Sequence, residues 1–452
     1  MGQTATGLEG LSRVAAETLS GLVAAIREVV AELARRAVAG EPQATLDEFL
    51  EPEEPLAQLQ APEDFPRDPA RVLEPGSVEL HFEERVPAVS VDGSSRVVRC
   101  MHANLVVASV AAVSSHHGVL LAHPPASAHW PPRWAKGLGE PFISLQPKVE
   151  LRGEEWSQLE ERMEGLARLR SLAGYPYDHT YNTWQVMDEA RLSLETAALR
   201  LAIAAAGRGV VVMDGPLHPL PRILFRSSYR GVERYVESYL AVARERSRIL
   251  EEARSRGVAL LGLVKRVSGS YKLYRIGEVV EFFRRRGASL RKLPDDYIVD
   301  LMTRMLMGEG RVRPPVAAVI YGPFHLSLEG MGEEVRKRLE EAGRGDVRVE
   351  LVSRELYFAW IPPHPYTARR ASVLRLEAPP WLGRDRVEEL ASLILALGVS
   401  WRIGVPRVLD YADRIARRRA KAYFVTLARG VETVTPLLYE TREELLGVEG
   451  GG

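Results

Sequence analysis

Two aspartates in this chain follow directly after short apolar runs and stand immediately before a glycine. The segments 89–93 and 210–215, which end in Asp92-Gly93 and Asp214-Gly215, each predict a buried strand that carries a carboxylate to its carboxyl end. An ionised aspartate beside a core is costly unless a positive group compensates it, and a divalent metal is the usual compensation. Two such strands in one sheet would supply the paired carboxylates of metal-dependent phosphodiester chemistry. The alternative is that Asp-Gly is simply favourable turn chemistry at two strand ends.

A third candidate carboxylate, Glu195, lies within a helix predicted over residues 186–206. The positions that share its face are all apolar: Leu192, Ala198, Leu199 and Ala202. Glu195 therefore points toward the packed side, where a carboxylate seldom lies without a partner. Asp92, Glu195 and Asp214 form a candidate metal-binding trio, and their hard oxygen ligands favour Mn²⁺ or Mg²⁺ over zinc. The alternative for Glu195 is a buried salt bridge.

Basic residues supply candidate phosphate contacts. Lys265 ends an apolar run, where its charge could neutralise a scissile phosphate as part of the catalytic group. A run on the last long predicted helix, near 407–428, forms the candidate DNA surface: Arg414, Arg417, Arg418, Arg419 and Lys421. Such runs are typical of solvated helix faces. This run begins beside Asp413, close in sequence to the candidate site, which favours a role in tracking phosphate.

The composition argues for local rather than general attraction to nucleic acid. The 452 residues contain 60 basic and 60 acidic side chains, so net charge gives no bulk affinity for DNA. A single cysteine excludes an internal disulfide and a cysteine-based zinc site, and fits a reducing cytoplasm. No secretory signal and no apolar run of membrane-spanning length are evident. We therefore expect a cytoplasmic protein with no membrane partner.

The chain divides at a stretch rich in proline and acid. Residues 1–76 predict an N-terminal helical extension followed by a connector, and residues 77–446 predict the main domain. That domain begins with strands near 79–92, 96–100 and 105–113, and a long loop is expected from 114 to 147. Strands that alternate with helices follow. The order predicts an α/β domain with a mixed sheet.

The ordered set of motifs resembles the NurA nucleases. The resemblance covers most of the chain after residue 80, and no single motif carries it. The matching segments, in order, are Val91-Asp92-Gly93-Ser94, the helix with Glu195, Met213-Asp214-Gly215-Pro216-Leu217, Gly262-Leu263-Val264-Lys265-Arg266, Arg375-Leu376-Glu377, and Gly404-Val405-Pro406 with Ala412-Asp413.

The resemblance implies an RNase H-like mixed sheet flanked by helices, and Mn²⁺-dependent cleavage of DNA. It further implies a 5′-to-3′ exonuclease and single-strand endonuclease that acts in end resection at double-strand breaks, as a homodimer, with a HerA-like hexameric ATPase. The chain departs from the family where tyrosine often precedes the proline and histidine often follows the alanine. Val405 and Asp413 stand there instead. Asp413 either replaces the histidine as an oxygen ligand for metal or is inert in catalysis.

Two alternatives stay open at this point. A catalytically inactive member would serve as a DNA-end-binding scaffold of the translocase, and another RNase H-like nuclease would act on RNA or on hybrids. Two segments are candidate interfaces for the homodimer and the ATPase: the N-terminal helices with Leu19, Leu22 and Ile26, and the loop that carries Trp130 and Trp134.

Overall fold

The architecture comes from a computed structural model. It describes residues 19–37, 58–60, 70–73, 87–125, 138, 140–218, 232–265, 267, 270–313, 318–327, 354–360, 372–396, 399–400 and 405–449. Within these ranges the chain forms one large mixed sheet with helices on both faces. The predicted α/β class is confirmed.

Eleven strands belong to the large sheet. They are β1 (Gln58–Gln60), β2 (Ala70–Leu73), β3 (Ala88–Arg99), β4 (Ala103–Ser114), β5 (Gly118–His123), β6 (Ile143–Pro147), β7 (Val210–Asp214), β8 (Ala259–Val264), β9 (Ala318–Ser327), β10 (Arg354–Trp360) and β11 (Ser372–Ala378). Their order is β1-β9-β10-β11-β8-β7-β3-β4-β5, with β2 also beside β9 and β6 also beside β4. Two short strands, β12 (Val399–Ser400) and β13 (Val405–Pro406), pair separately.

Nine α-helices are described. They are α1 (Leu19–Ala37), α2 (Gly153–Met163), α3 (Thr183–Ala206), α4 (Val232–Ser255), α5 (Gly277–Arg284), α6 (Asp295–Gly308), α7 (Arg384–Ala396), α8 (Arg407–Glu432) and α9 (Tyr439–Glu449). The helices predicted over 186–206 and near 407–428 are therefore present, each extended by a few residues.

Five strands have the RNase H-like arrangement. β3, β4 and β5 form an antiparallel meander, β7 pairs parallel to β3, and β8 pairs parallel to β7. Asp92 and Asp214 therefore lie on adjacent parallel strands, and Asp214 ends its strand as predicted. The prediction that Asp92 also ends its strand is wrong, because β3 continues through Gly93 to Arg99 and joins the strands predicted near 79–92 and 96–100. The order β5-β4-β3-β7-β8 confirms the fold that the family resemblance implied.

β3 is much longer than its neighbour β7. It pairs with β4 along residues 89–99 but with β7 only along residues 88–91. From Asp92 onward, no described strand lies on the β7 side of β3. This leaves an uncovered strand edge next to the carboxyl end of β7.

Helices α3 and α8 cover opposite faces of the β3–β4 sheet. Val91 and Val97 face α3 and pack in one core with Leu194, whereas Val98 packs on the other face with Phe424 of α8. This division follows from the period of two in a strand, which sends alternate side chains to opposite faces. An element from each face therefore flanks the uncovered edge of β3.

The N-terminal extension packs against the main sheet's helices. Leu22 and Ile26 of α1 are buried in one core with Phe424 and Leu427 of α8. The expectation that Leu22 and Ile26 form an intermolecular interface is therefore wrong, because this chain itself buries them. The short strands β1 and β2, within the predicted connector, both pair with β9. The boundary at residue 76 stays a prediction.

The interval from 114 to 147 contains more structure than the predicted loop. β5 continues the meander after a turn, and β6 pairs with β4. The single-loop prediction is wrong for these residues, and Trp130 and Trp134 lie outside the described residues. Among the helices described here, none is both long enough and apolar enough to cross a membrane.

Candidate active site

Three aspartates meet at the end of β7. Asp92 lies on β3, Asp214 is the last residue of β7, and Asp413 lies in α8. Each offers one carboxylate oxygen, and the three oxygens lie within 4.8 Å of one another. This is the one group with metal-ligand spacing found among the described residues. Three oxygen donors at such separations fit a hard divalent cation such as Mn²⁺ or Mg²⁺.

Lys265, which follows β8, points into this group. Its Nζ lies 2.8 Å from Asp92 Oδ2, 3.0 Å from Asp214 Oδ2 and 3.7 Å from Asp413 Oδ1. Burial alone would lower the pKa of Lys265, but the charges of the aspartates outweigh burial and hold its pKa above the ordinary value. The three aspartates therefore favour the charged form of the Lys265 ammonium.

Asp92 is the most buried of the three carboxyl groups. It is only 1 % exposed, and burial is the main reason that its pKa lies well above the ordinary value. The charge of Asp214 raises this pKa further, and the ammonium of Lys265 opposes the shift. One lysine thus faces three carboxyl groups. A bound divalent cation would supply the positive charge that the lysine alone does not.

Glu195 lies beside this group but outside it. Its Oε1 is 3.2 Å from a guanidinium nitrogen of Arg191, and its Oε2 is 3.3 Å from one of Arg246. Burial is the main reason that the pKa of Glu195 is raised, and the two arginines oppose that shift. The sequence correctly placed Glu195 on the packed side of its helix. The structure shows the buried ion pair, and a direct role in metal binding stays a prediction.

Arg246 of α4 connects Glu195 to the turn that follows Asp214. Its side chain is 2 % exposed and donates to the carbonyl oxygens of Pro216, at 2.9 Å, and Leu217, at 3.2 Å. Gly215 makes this turn with a φ of 94°, a conformation that favours glycine. Sequence reasoning missed Arg246, because nothing in the charged pattern of α4 distinguishes it from Arg244 and Arg248, which are more exposed.

A second anchor holds the same turn from the other half of the sheet. The backbone N–H of Leu217 donates to Glu377 Oε2 on β11 at 3.0 Å. Glu377 in turn accepts from Arg375 at 2.7 Å. The Arg375-Leu376-Glu377 motif therefore acts on the backbone just beyond Asp214. It does not join the three aspartates.

Two serine hydroxyls fix α8 against the sheet. Ser90 on β3 donates to the carbonyl oxygen of Val408 at 2.8 Å, and Ser109 on β4 donates to that of Ala416 at 2.7 Å. Asp413 lies between these two positions on the helix. The pair of hydrogen bonds sets the rotation of α8 that turns Asp413 toward Asp92.

The predicted basic run on α8 does not form one surface. Arg417 donates to Asp413 Oδ1 at 2.9 Å and faces the carboxylates, whereas Arg414 pairs with Asp410. Arg418 is exposed, Lys421 is half-buried, and Arg419 is only 6 % exposed. Successive helix positions lie about 100° apart, so a continuous run of charges spreads around the helix. Of the five predicted DNA-binding residues, Arg417 alone lines the cleft at the carboxylates.

A cleft of about 650 Å³ runs along the uncovered edge of β3. Residues 93–97 and Arg99 of β3 form its floor, and Asp214 and Lys265 stand at one end. Three side chains of α3 line one side, and three from α8 and α9 line the other: Trp184, Met187, Arg191, Asp413, Arg417 and Glu444. The cleft thus joins the carboxylates to several arginines and one tryptophan.

Carboxylates at the end of a β-strand and on a flanking helix are an arrangement that can hold the divalent ions used in phosphodiester hydrolysis. The sequence profile of the NurA domain matches residues 87–418. The chain belongs to the NurA family. The match ends within α8, after Asp413 and Arg417.

Solved structures similar to this chain are distant in sequence. The crystal structure of the NurA nuclease from Sulfolobus solfataricus is 13 % identical, with 75 % of this chain and 83 % of that chain covered and a TM-score of 0.35. The crystal structure of NurA with manganese is 12 % identical, with 80 % of this chain and 91 % of that chain covered and a TM-score of 0.35. The crystal structure of NurA bound to dAMP and manganese is 11 % identical, with 76 % of this chain and 88 % of that chain covered and a TM-score of 0.36. No curated protein matches the sequence. The family assignment therefore rests on the domain profile.

Proposed function

We propose that this protein is a metal-dependent nuclease that hydrolyses DNA phosphodiesters. The observation that carries the proposal is the convergence of Asp92, Asp214 and Asp413 around Lys265 at the end of a basic cleft. These aspartates would hold Mn²⁺ or Mg²⁺. When bound, the metal would supply Lewis-acid stabilisation of the phosphoryl oxygens and a lowered pKa for the attacking water.

The chain's own residues bind and orient the strand. Lys265 offers a fixed ammonium to the scissile phosphate, and Arg417 offers a planar guanidinium to a neighbouring phosphate. Glu195 acts through Arg246, which holds the turn after Asp214. Glu195 stays a proposed metal ligand as well, although both of its oxygens already contact arginines.

The finer assignments follow from family membership and are proposals. They comprise a 5′-to-3′ exonuclease and single-strand endonuclease, end resection at double-strand breaks, a cytoplasmic homodimer, and a HerA-like hexameric ATPase as partner. A net charge of zero supports the need for such a partner, because weak general attraction to DNA leaves delivery of the strand to another protein.

One observation favours a second function, that of an inactive DNA-end-binding scaffold. Lys265 already compensates part of the carboxylate charge, and Asp413 stands where the family often has histidine. A scaffold would use the same cleft to hold a strand without hydrolysing it. Binding of Mn²⁺ and hydrolysis of DNA distinguish the two functions.

The experiment compares labelled single-stranded DNA, duplex DNA, RNA and hybrid substrates with purified protein, with and without Mn²⁺. We expect cleavage of DNA that requires the metal. Asp92→Asn and Asp214→Asn should each abolish cleavage and weaken Mn²⁺ binding. The electron paramagnetic resonance signal of free Mn²⁺ measures that binding. Asp413→Asn should weaken both.

Asp410→Asn is the matched control, because Asp410 lies on the same helix and pairs with Arg414 instead of Lys265. It should bind Mn²⁺ and cleave DNA as the wild type does. Unimpaired cleavage by either the Asp92 or the Asp214 variant would contradict the site. Faster cleavage of RNA or hybrids than of DNA would favour a different substrate class.

A further inference from the structure

The far end of the cleft differs chemically from the end with the aspartates. Trp184, in the first turn of α3, is 38 % exposed and lines the cleft. The guanidinium of Arg99, the last residue of β3, lies 5.8 Å from the centroid of the Trp184 ring. An aromatic ring with an arginine beside it is the combination that binds nucleobases by stacking.

β3 and α3 run in opposite directions along the cleft. At the carboxylate end, Gly93 contacts Glu195, and at the other end Arg99 contacts Trp184. Six residues of strand, at about 3.3 Å each, put Arg99 roughly 20 Å from Gly93. Eleven residues of helix, at 1.5 Å each, put Trp184 about 16 Å from Glu195 along the axis of α3. The two estimates agree, so the tryptophan lies well away from the aspartates within the same cleft.

Cations lie between the two ends. Arg96 projects from the floor and pairs with Glu444, and Arg417 projects from α8. Burial lowers the pKa of Arg96, and the nearby charge of Arg417 lowers it further. Two guanidinium groups that repel one another in a cleft are stabilised when an anion lies between them. A phosphate backbone supplies such anions at regular intervals.

We infer that Trp184 and Arg99 form a stacking platform for an unpaired nucleobase of a strand whose backbone runs along the edge of β3 to Lys265. Within a duplex, neighbouring bases occupy both faces of every base except those of the terminal pairs, so the platform favours single-stranded DNA. The inference rests on the proposed nuclease function and specifies its substrate as a strand already separated from its complement.

The test measures binding without metal, so that cleavage plays no part. Fluorescence anisotropy gives the Kd of labelled single-stranded oligodeoxynucleotides in EDTA, each with one abasic site at a successive position. With the wild type, one position should weaken binding about 5- to 150-fold, the loss expected when a stacked base is removed. The same oligonucleotides as blunt duplexes should bind more weakly and show no such position.

Trp184→Ala should weaken binding of the intact strand by the same factor and remove the effect of the sensitive abasic site. Trp184→Phe should retain most of the affinity and that sensitivity. Tyr297→Ala is the matched control, because Tyr297 is 37 % exposed on α6 and does not line the cleft. Its binding profile should equal that of the wild type, and circular dichroism of each variant should be native.

Two results would overturn the platform: an unchanged Kd for Trp184→Ala on the intact strand, or an abasic effect that persists in that variant. Absence of single-strand binding by the wild type would overturn it as well. The nuclease proposal is judged separately by Mn²⁺-dependent cleavage. If the wild type cleaves DNA but Trp184→Ala binds the intact strand with an unchanged Kd, only the platform is rejected. If one abasic position weakens binding by the wild type but Mn²⁺ supports no cleavage, only the nuclease proposal is rejected.

Discussion

The ammonium group of Lys265 donates a hydrogen bond to Asp92 across the end of the sheet, with 2.8 Å between Nζ and Oδ2. Lys265 directly follows β8 and Asp92 lies on β3, and β7 lies between these two strands. Asp92 has almost no contact with solvent, so this lysine is its main source of compensating charge. The lysine and a divalent cation would therefore both stabilise the same group of aspartates.

Lys265→Met should destabilise the protein in the absence of metal by roughly 3 kcal/mol, because it leaves Asp92 buried without its cation. Mn²⁺ should then stabilise the variant more than it stabilises the wild type, since a ligand that binds only the folded state raises the free energy of unfolding. Urea denaturation with and without Mn²⁺ measures both effects. Equal stabilisation of the two proteins would show that metal does not bind at these aspartates.

Gly93→Ala should disturb the site through Glu195. A Cβ at residue 93 would lie 2.7 Å from Glu195 Oε1 and 2.8 Å from its Cγ. Glu195 has little freedom to move, because Arg191 and Arg246 hold its two oxygens. We expect a loss of about 1–3 kcal/mol in the free energy of unfolding, the usual cost of overpacking, and a slower cleavage rate.

Gly277→Ala is the control for that substitution. Gly277 begins α5, and an added Cβ there would have no atom within 4 Å. Alanine should leave the free energy of unfolding unchanged or slightly higher. A Gly93→Ala variant as stable and as active as the Gly277→Ala variant would show that the contact with Glu195 relaxes at no cost.

Arg417→Glu and Arg418→Glu should have different effects on DNA binding, although the residues are adjacent. Arg417 lines the cleft beside Asp413, and Arg418 is exposed outside it. The first reversal should weaken binding of single-stranded DNA and reduce the slope of log K against log salt by about one. The second should change neither. Equal effects would indicate a general basic surface on α8.

Glu189 should give the protein a distinctive pH dependence. Burial raises its pKa to about 7, against the opposing hydrogen bonds that Tyr177 and Tyr181 donate to it. The folded state therefore holds this proton more tightly than the unfolded state, whose carboxyl has the ordinary value of 4.5. Its contribution to stability is present below pH 4.5 and is lost as the pH rises to about 7.

Glu189→Gln removes this titration. The free energy of unfolding of the wild type, minus that of the variant, should fall by roughly 3 kcal/mol between pH 4.5 and 7, at 1.36 kcal/mol per pKa unit. Urea denaturation of both proteins at a series of pH values measures the difference and cancels the titration of other groups. A difference that does not vary with pH would contradict the raised pKa.

Local pattern predicted the strands of the site better than its contacts. Asp92 and Asp214 were predictable because each follows an apolar run and precedes a glycine, and the buried side of Glu195 followed from helix periodicity. The two arginine partners of Glu195 differ in how far they lie from it in the sequence, and therefore in how predictable they are. Arg191 is one helical turn away, whereas Arg246 is on another helix and only the packing of α3 against α4 brings it close.

Short strands with tertiary partners were the least predictable part of the fold. β1 and β2 lie in a stretch whose prolines indicate a connector, and their pairing with β9 depends on a strand more than two hundred residues away. The same limit applies to Trp184, since neither its exposure nor its place in a cleft follows from the sequence around it. Local propensity describes an element, and long-range pairing decides its surroundings.

Because the hydroxyls of Ser90 and Ser109 fix the position of α8, the site depends on the spacing of residues along α8 as much as on which residues they are. They bind carbonyl oxygens eight residues apart, so α8 cannot slide or roll over the sheet without breaking both hydrogen bonds. One residue inserted between Val408 and Asp413 would turn the aspartate by about 100° and carry it out of phase with Asp92. A relative that kept all three carboxylates but changed the number of residues in this interval would therefore lose the site, because its third carboxylate would point to a different side of the helix.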